Sequence, residues 1–401
     1  MKVYILTGDP IPNGMASTNR IKCYARAIKE GGVDCEVLVF RRTERNGVKP
    51  KNTDGYGTLE DSIPFCYMGK TPLRGSYMLK RWASDWLDIW QTERYLRGKM
   101  QKGDVLLLYM GQYIKQSLRF MRVAHDIGAF CIRDLCELPY GTGTETKKAV
   151  QLRKLTLEKQ FPLLDGIISI SDALLNLAQE YALPSCKHIK VPILVDFAHY
   201  YLADLSSEVE VPYIFHAGSL YEQKDGILGM IEAFGKAVRQ LPMPIRFVST
   251  GNIDESPHNE EISRLIKQYQ LNDKFIFTGY MSDSELRDYL SKASLVIINK
   301  YNTQQNKYCF STKLGEYLAA AKPVIITNVG EAKNWLSDGV SAYIIEPKDT
   351  DALAESIIRV FTKQEETKKI GLEGQKVCRS SFNYRNWSQP MVDFLKYLGK
   401  E

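Results

Sequence analysis

The feature that most constrains the fold of this chain is the alternation of short apolar runs with longer amphipathic segments. Six runs lie in the first half and six in the second, at 3–7, 35–40, 104–109, 129–133, 166–170 and 187–191, then at 213–217, 245–249, 275–278, 295–298, 324–327 and 342–345. Helical patterns lie between them, for example at 16–30, 226–240, 283–292 and 349–362. Continuous apolar runs are typical of buried parallel strands, and strand–helix alternation predicts crossover units. The sequence therefore predicts an α/β protein.

Because each half carries its own set of runs, we expect two Rossmann-like doubly wound domains that face each other across a cleft. A length of 401 residues is also more typical of two domains than of one. We place an N-terminal domain at 1–200 and a C-terminal domain at 210–380. The tail at 385–401 predicts a late helix that can pack on either domain, the N-terminal one included. Open parallel sheets bind ligands at the carboxyl ends of their strands.

Composition excludes a disordered, a collagen-like and a coiled-coil chain. The 44% of hydrophobic residues and 25% of charged residues are ordinary for a soluble globular chain. Eight scattered cysteines without zinc spacing favour a reducing compartment and no metal site, and the start is not typical of a signal peptide. We therefore expect a cytoplasmic protein that does not bind nucleic acid.

The charge is uneven between the two halves. The first 200 residues hold 29 Lys and Arg against 21 Asp and Glu, whereas the remainder holds 24 against 26. This basic balance favours an anionic partner of the first half, such as phosphate, lipid headgroups or an acidic glycan. An ordinary solvated surface is the alternative.

The segment 308–327, "YCFSTKLGEYLAAAKPVIIT", carries the strongest chemical signal. It predicts a helix that begins near Ser311 or Thr312 and is followed directly by a strand. A free helix start offers unpaired backbone N–H groups and partial positive charge, which suit a phosphate, and Lys313 adds a full charge. Glu316 is placed one turn on to accept ribose hydroxyls. An ordinary exposed Lys–Glu pair is the alternative.

Two glycine-containing loops follow predicted strands. In "YIFHAGSLYEQKDG", Gly218 lets the backbone approach a ligand, and Lys224 is placed to reach the same phosphates. The first strand of the chain runs into a loop containing Gly14, before a helix with Ser17 or Thr18 as its predicted cap. Backbone amides at Gly14 are candidates for the distal phosphate. His216 lies inside a strand and is expected to be a packed core residue.

In their order along the chain, these segments resemble the donor-binding domain of the family-four (group 1) glycosyltransferases with the GT-B fold. The matching segments are "HAGSLYEQKDG", "FVSTGN", "FIFTGYMSDSEL", "STKLGEYLAAAKPVI" and "GVSAYIIEPKDTDALAESI". In the first half, "FCIRDLCELP" is similar to a segment of a subgroup that builds bacterial polysaccharides. The resemblance implies a retaining transferase that moves a sugar from a nucleotide-diphosphate sugar, with UDP favoured, to a glycan or lipid-linked acceptor in cell-surface polysaccharide synthesis.

The resemblance also implies roles for individual residues. Lys224 matches the lysine that holds the pyrophosphate, Glu316 matches the ribose ligand, and Tyr280 lies beside the base. Arg133 and Asp134 lie at the acceptor side, where Asp134 is either a base oriented by Arg133 or a strand-end cap. The expected donor site is Gly14, Gly218, Ser219, Lys224, Gly251, Tyr280, Ser311, Thr312, Lys313 and Glu316.

This sequence departs from the family pattern at three positions. Tyr308 stands where the family has the first of two paired glutamates, and Ser219 replaces an arginine that contacts phosphate. Arg133 replaces a histidine beside the sugar. We expect neither a metal nor a cofactor, the nucleotide sugar being a substrate. A nucleotide-sugar epimerase of the same fold and a non-catalytic protein that binds sugar nucleotides or glycans are the alternative functions.

The acceptor is suggested only by residues 70–99, "KTPLRGSYMLKRWASDWLDIWQTERYLRGK". Trp82, Trp86 and Trp90 recur every four residues, so they share one face of a helix. Such a stripe is either core, or a membrane-surface helix that gives the basic N-terminal domain peripheral contact with the inner face of the membrane.

Overall fold

The computed structural model describes residues 1–141, 146–201 and 210–399 of the chain. The strands in this part of the chain, numbered in order, are β1 Lys2–Thr7, β2 Asp34–Val39, β3 Tyr56–Thr58, β4 Pro64–Tyr67, β5 Val105–Tyr109, β6 Phe130–Leu135, β7 Gly166–Ser169, β8 Lys187–Lys190, β9 Tyr213–His216, β10 Arg246–Ser249, β11 Phe275–Phe277, β12 Leu295–Ile298, β13 Val324–Thr327 and β14 Tyr343–Ile345. All twelve predicted apolar runs are strands.

The helices alternate with these strands. Among the described residues they are α1 Ala16–Glu30, α2 Met78–Lys99, α3 Ile114–Ile127, α4 Lys147–Leu155, α5 Asp172–Tyr181, α6 Phe197–Tyr200, α7 Glu222–Asp225, α8 Ile227–Val238, α9 Asn259–Tyr269, α10 Asp283–Lys292, α11 Gln304–Tyr308, α12 Thr312–Ala319, α13 Ala332–Trp335, α14 Thr350–Thr362, α15 Gln364–Val377 and α16 Ser388–Tyr397. Among the described helices, none is both long enough and apolar enough to cross a membrane.

The chain divides into two compact units. The N-terminal unit contains Met1–Val195 together with Tyr384–Glu401, and the C-terminal unit contains Asp196–Asn383. The first transition therefore lies just before the 200–210 interval used for the sequence-based domains. The tail returns to the N-terminal unit, where Val392 of α16 lies against Gly31 at the end of α1.

The N-terminal unit is built on one sheet with the strand order β3-β4-β2-β1-β5-β6-β7-β8 among the described residues. Its strands pair in parallel, except that β3 runs antiparallel to β4. The sequence analysis missed β3 and β4, because "YGT" and "PFCY" are too short to show an apolar period. The pairing of β4 with β2, and of β3 with β4, depends on long-range contacts.

The core of the N-terminal unit lies between its sheet and the helices α1 and α16. Val3 and Ile5 of β1 pack in one buried cluster with Tyr24 and Ile28 of α1 and Leu395 of α16. The apolar stripe of the tail is thus part of this core, because α16 would otherwise expose it to water.

The C-terminal unit has its own sheet with the strand order β11-β10-β9-β12-β13-β14, all in parallel. Its core joins β9, β10 and β12 to the apolar faces of α8 and α14, with Phe234 and Phe247 among the buried side chains. From β9 the chain adds β10 and β11 on one side of the sheet and then β12, β13 and β14 on the other. Ligands of open α/β sheets bind at such a switch point, outside the carboxyl ends of the strands. The carboxyl edge of this sheet is therefore where a site is expected.

Candidate functional site

Three loops meet at the carboxyl edge of the C-terminal sheet, one after each of β9, β10 and β11. The backbone N–H of Gly218 donates to Thr250 Oγ1 at 2.9 Å, and that hydroxyl donates to the Gly218 carbonyl at 3.1 Å. The N–H of Gly251 donates to the Gly279 carbonyl at 3.0 Å. These bonds bring the predicted residues Gly218 and Gly251 into one surface.

Gly251 can be replaced at this position only with strain. Its φ of +99° lies in a region that side chains disfavour, and a Cβ would meet Leu220 at 2.9 Å and the Gly218 carbonyl at 3.1 Å. Tyr280, in the next loop, is 71% exposed, and its hydroxyl donates to Glu255 Oε2 at 3.2 Å. Its ring is thus available beside the glycine loops, where the sequence places the base.

Lys224 lies on the short helix α7, which is held in place at both ends. Glu222 accepts from Leu228 N–H at 2.8 Å and from the Tyr301 hydroxyl at 2.6 Å. Gly226 follows with a left-handed φ of +60°, and its carbonyl accepts from Asn299 Nδ2 at 2.8 Å. The exposed Lys224 side chain therefore extends from a fixed base.

Asp225, next to Lys224, joins the β9 loop to the start of α12. Its Oδ2 accepts from the backbone N–H of Ser219 at 2.8 Å and from the Ser219 hydroxyl at 2.7 Å, and its Oδ1 lies 3.2 Å from Lys313 Nζ. Burial alone would raise the pKa of Asp225, but Lys313, His216 and the Ser219 hydrogen bonds hold that pKa far below its usual range. Ser219 therefore binds this carboxylate, at the position where the family has an arginine.

Lys300 is a further lysine in electrostatic range of Asp225. It follows β12, and its backbone N–H donates to Thr327 Oγ1 at 2.8 Å. Burial lowers the pKa of Lys300, and the positive charges of Lys313 and Lys224 lower it further. Lys300 thus lies in electrostatic range of Lys313, Lys224 and the Asp225 carboxylate. An excess of positive charge of this kind attracts an anion that carries more than one negative charge.

The start of α12 adds backbone donors to these lysines. Ser311 is its N-cap residue, with no hydrogen bond from its side chain to the helix within the described part of the chain, and Thr312 is the first helical residue. The first-turn N–H groups and the helix dipole therefore favour an anion here. Tyr317 fixes the helix to the sheet, because its hydroxyl accepts from the Ala217 N–H at 2.9 Å. Glu316 lies one turn from Lys313 and is half-buried.

Comparison with known proteins identifies the domain that carries this geometry. Residues 202–377 match the family model described as glycosyl transferases group 1. The C-terminal unit therefore carries a group 1 glycosyltransferase domain. The N-acetyl-alpha-D-glucosaminyl L-malate synthase of Bacillus anthracis is 23% identical over 226 residues, which cover 54% of this chain and 56% of that relative.

A second curated relative matches a shorter part of this chain. The 2-deoxystreptamine N-acetyl-D-glucosaminyltransferase of Niallia circulans is 24% identical over 138 residues, or 34% of this chain. That match spans 33% of the relative. The chain thus spans about half or less of the length of these two relatives.

Solved structures establish the fold over the whole chain. The sucrose-phosphate synthase of Thermosynechococcus elongatus has a TM-score of 0.75, 17% identity and coverage of 99% of each chain. The Anabaena protein HepE in complex with UDP and glucose has a TM-score of 0.72, 15% identity and the same coverage. The chain therefore has the GT-B fold, with a Rossmann-like sheet in each unit.

His216 is a buried residue of the C-terminal unit in electrostatic range of Lys313. The prediction of a packed histidine is confirmed: His216 is 2% exposed, and its Nδ1 lies 3.0 Å from Ser249 Oγ. Burial first, and then the charge of Lys313, lowers the pKa of His216 to about 4. The imidazole is therefore neutral near pH 7. Its Cε1 would lie 2.0 Å from a Cβ at Gly218, so this glycine is also needed for packing.

The depressed pKa of His216 predicts a pH dependence of stability. The unfolded chain binds a proton below the usual pKa of 6.5, whereas the folded chain binds it only below about 4. The stability contribution is present above pH 6.5 and is lost as the pH falls towards 4. Urea denaturation should show that the free energy of unfolding falls over this pH range for the unaltered chain, and falls less for His216→Gln. Parallel pH curves would contradict this assignment.

In the N-terminal unit, Asp134 lies in a buried network. Its Oδ1 is 3.2 Å from Arg20 Nη2 and accepts from the Tyr24 hydroxyl at 2.5 Å. The side chains of Arg20 and Asp134 are 1% and 0% exposed. An acceptor-side base must reach its substrate. In this structure Asp134 neutralises Arg20, and its role as an acceptor-side base stays a prediction.

Arg133 leaves the opposite face of β6, because successive side chains of a strand alternate. It hydrogen-bonds Gln160, and its Nη2 donates to the Gly111 carbonyl at 3.3 Å. Burial lowers the pKa of this guanidinium to about 10. The prediction that Arg133 orients Asp134 is wrong, since Arg20 and Tyr24 occupy that position. A direct role of Arg133 at the sugar stays a prediction.

Gly14 precedes α1, whose first residue is Ala16. A Cβ on Gly14 would lie 1.9 Å from Thr18 Oγ1, so the close approach requires glycine. The prediction of Ser17 or Thr18 as the cap is wrong. Met15 is the N-cap residue, and Thr18 Oγ1 donates instead to the Pro10 carbonyl at 2.7 Å. The start of α1 thus has backbone donors beside Gly14.

Sequence reasoning missed Asp225 and Lys300 as parts of the site. Asp225 was visible as the neighbour of Lys224, and Lys300 as the first charged residue after an apolar strand. The position of Lys300 after β12, which lies next to β9, is a signal that could have found it. Nothing local to Asp225 indicates that it binds Lys313, 88 residues away.

Proposed function

We propose that this chain is a glycosyltransferase that takes a sugar from a nucleotide-diphosphate sugar. The observation that carries the proposal is the start of α12 on the carboxyl edge of the C-terminal sheet, where Lys313 lies 3.2 Å from Asp225, the neighbour of Lys224. Lys300 lies in electrostatic range of Lys224 and Lys313. A diphosphate has the charge and the acceptor oxygens that these groups require. The group 1 glycosyltransferase domain supports a transferase among the enzymes that bind such a ligand.

The chemistry requires stabilisation of the leaving diphosphate. As the bond from the anomeric carbon to the phosphate oxygen breaks, the sugar gains oxocarbenium character and negative charge develops on the phosphate. Preorganised donors stabilise that charge without reorganisation. We assign this role to Lys224, Lys300, Lys313 and the first N–H groups of α12. The leaving phosphate can accept the proton of the acceptor hydroxyl, which is compatible with retention of configuration and needs no protein nucleophile.

The nucleoside is assigned to the glycine loops and to α12. Glu316 is proposed to accept the ribose hydroxyls, and Tyr280 to lie beside the base, because its exposed ring adjoins Gly251 and Gly279. We favour UDP as the nucleotide, since HepE and the pneumococcal transferase GtfA were both solved with UDP. A glycan or lipid-linked acceptor and a role in cell-surface polysaccharide synthesis are proposed from the family resemblance.

Incubation with nucleotide sugars tests the proposed function. We expect nucleoside diphosphate to be released at a high rate only when an acceptor glycan is present, with UDP-sugars preferred. We also expect EDTA to leave the rate unchanged, because lysines and helix amides supply the positive charge. Interconversion of sugars without acceptor would instead show an epimerase. Tight binding without turnover over a broad acceptor panel would show a binding protein, and either outcome would overturn the proposal.

A further inference from the structure

Helix α2 exposes a continuous apolar face on the N-terminal unit. Leu79 is 78% exposed, Trp82 73%, Trp86 57% and Trp90 41%. These residues lie at intervals of three or four along the helix, so their side chains share one face. The stripe that the sequence left open between core and surface is therefore surface. Three exposed tryptophans on one face are far more than the scattered apolar residues of an ordinary surface.

The side of α2 that faces the protein is polar. The buried residues of the helix are Asp88, Thr92 and Leu96. Asp88 Oδ2 lies 3.2 Å from Arg42 Nε, and a Cβ on Gly69 would meet Asp88 Oδ1 at 2.4 Å. The Asp88–Arg42 contact and the close approach of Gly69 fix the rotation of the helix. The tryptophans cannot turn inward without separating the buried Asp88 from Arg42, which is half-buried.

The segment that carries the apolar face is rich in basic residues. Residues 70–99 contain seven Lys and Arg but only three Asp and Glu. Each of the three acids is paired with an arginine: Asp85 with Arg74, Asp88 with Arg42 and Glu93 with Arg119. The exposed Lys80 lies over the exposed ring of Tyr77, with 5.6 Å from Nζ to the ring centroid. The local surface is therefore both apolar and cationic.

The exposed half of α2 begins near the carboxyl edge of the N-terminal sheet. The loop that leads into the helix is bonded to the segment after β2, since Thr43 N–H donates to the Pro72 carbonyl at 3.0 Å and Arg74 N–H to the Glu44 carbonyl at 3.2 Å. The far end of α2 reaches the other edge, where Tyr95 donates to Glu36 Oε1 at 2.6 Å. The tryptophans thus lie towards the edge at which open α/β sheets bind their ligands.

We propose that this face of α2 docks on the surface of a membrane that contains anionic lipids. Tryptophan prefers the boundary between headgroups and acyl chains, and a helix with one apolar aromatic face and basic residues lies in that plane. Charge complementarity selects this occupant over a second copy of the chain, because two such faces would bring like charges together. The inference is independent of the proposed transfer, since docking requires no nucleotide sugar.

Vesicle flotation tests the proposal. We expect the full chain to float with vesicles of phosphatidylcholine mixed with phosphatidylglycerol, and much less with phosphatidylcholine alone or at high salt. Trp82→Ser with Trp86→Ser should weaken partitioning by roughly tenfold or more. Lys80→Gln should weaken it by roughly fivefold, the factor for one cation near an anionic surface.

Matched controls distinguish binding through this face from nonspecific binding to vesicles. Leu163→Ser with Leu183→Ser removes apolar side chains that are 49% and 51% exposed elsewhere on the same unit, and Lys368→Gln removes an exposed lysine of the C-terminal unit. Both should bind vesicles like the unaltered chain. In the unaltered chain, brominated lipid should quench tryptophan fluorescence, a readout that needs no variant.

Three outcomes would overturn the proposal. The first is a failure to bind anionic vesicles. The second is binding that the double tryptophan variant retains in full. The third is a lipid-free dimer that dissociates when Trp82 and Trp86 are replaced, which would assign the face to a second copy.

Discussion

The Lys224→Ala variant should transfer sugar roughly 10²–10³ times more slowly than the unaltered chain, the loss typical of removing one preorganised donor from a developing anion. The fold should be unchanged, because the Lys224 side chain is exposed and α7 is held through Glu222 and Gly226. Initial rates at saturating donor and acceptor, with circular dichroism of the same preparation, measure both quantities.

Glu316→Ala should act differently and mainly weaken the binding of nucleoside diphosphate, which calorimetry measures.

Two further variants test whether the loss of rate in Lys224→Ala is specific to a positive charge at this position. Lys224→Arg keeps the charge and should recover part of the rate, whereas Lys368→Ala removes an exposed lysine from α15 and should have no effect. Equal rates for Lys224→Ala and the unaltered chain would remove Lys224 from the mechanism. A loss shared by Lys368→Ala would indicate an unspecific effect of charge.

The Asp225→Asn variant should lower the free energy of unfolding by about 2 kcal/mol. This is less than the roughly 3–5 kcal/mol for breaking a fully buried ion pair, because the side chain of Lys313 is 30% exposed and can regain water. The pKa of Asp225 is depressed, so its stabilisation is present above the usual pKa of 3.8 and is lost as the pH falls below that value. Urea denaturation at neutral pH and in acid measures the effect.

Ser219→Ala is the matched control for Asp225. It removes the hydroxyl that donates to Asp225 at 2.7 Å and leaves the ion pair with Lys313 in place. The acceptor is an ionised carboxylate, and the exposure of Ser219 to water keeps the contribution of this bond near or below the lower end of the roughly 1.5–3 kcal/mol for hydrogen bonds to charged groups. If Asp225→Asn is no more destabilising than Ser219→Ala, the ion pair does not join the β9 loop to α12 in the way the structure indicates.

Local periodicity in the sequence was sufficient to place most of the secondary structure. Apolar runs such as "LVII" and "VIIT" became β12 and β13, and the pattern at 16–30 became α1 with the same bounds. Capping was less predictable, because Thr18 could cap α1 or bond the Pro10 carbonyl, and the choice depends on how the preceding loop folds. The edge strand β3 was missed because only its pairing with β4 makes it a strand.

The sequence by itself determined that the chain forms two α/β units and that Lys224, Lys313 and the start of α12 follow strands of one parallel sheet. Parallel strands end at one edge, so residues that follow them are brought together whatever the details of packing. Only the tertiary structure decided that Asp225 binds Lys313, that Asp134 is buried against Arg20, and that the tryptophans of α2 face outward. Each of these depends on which distant side chain occupies the neighbouring space, and periodicity along the chain carries no information about that neighbour.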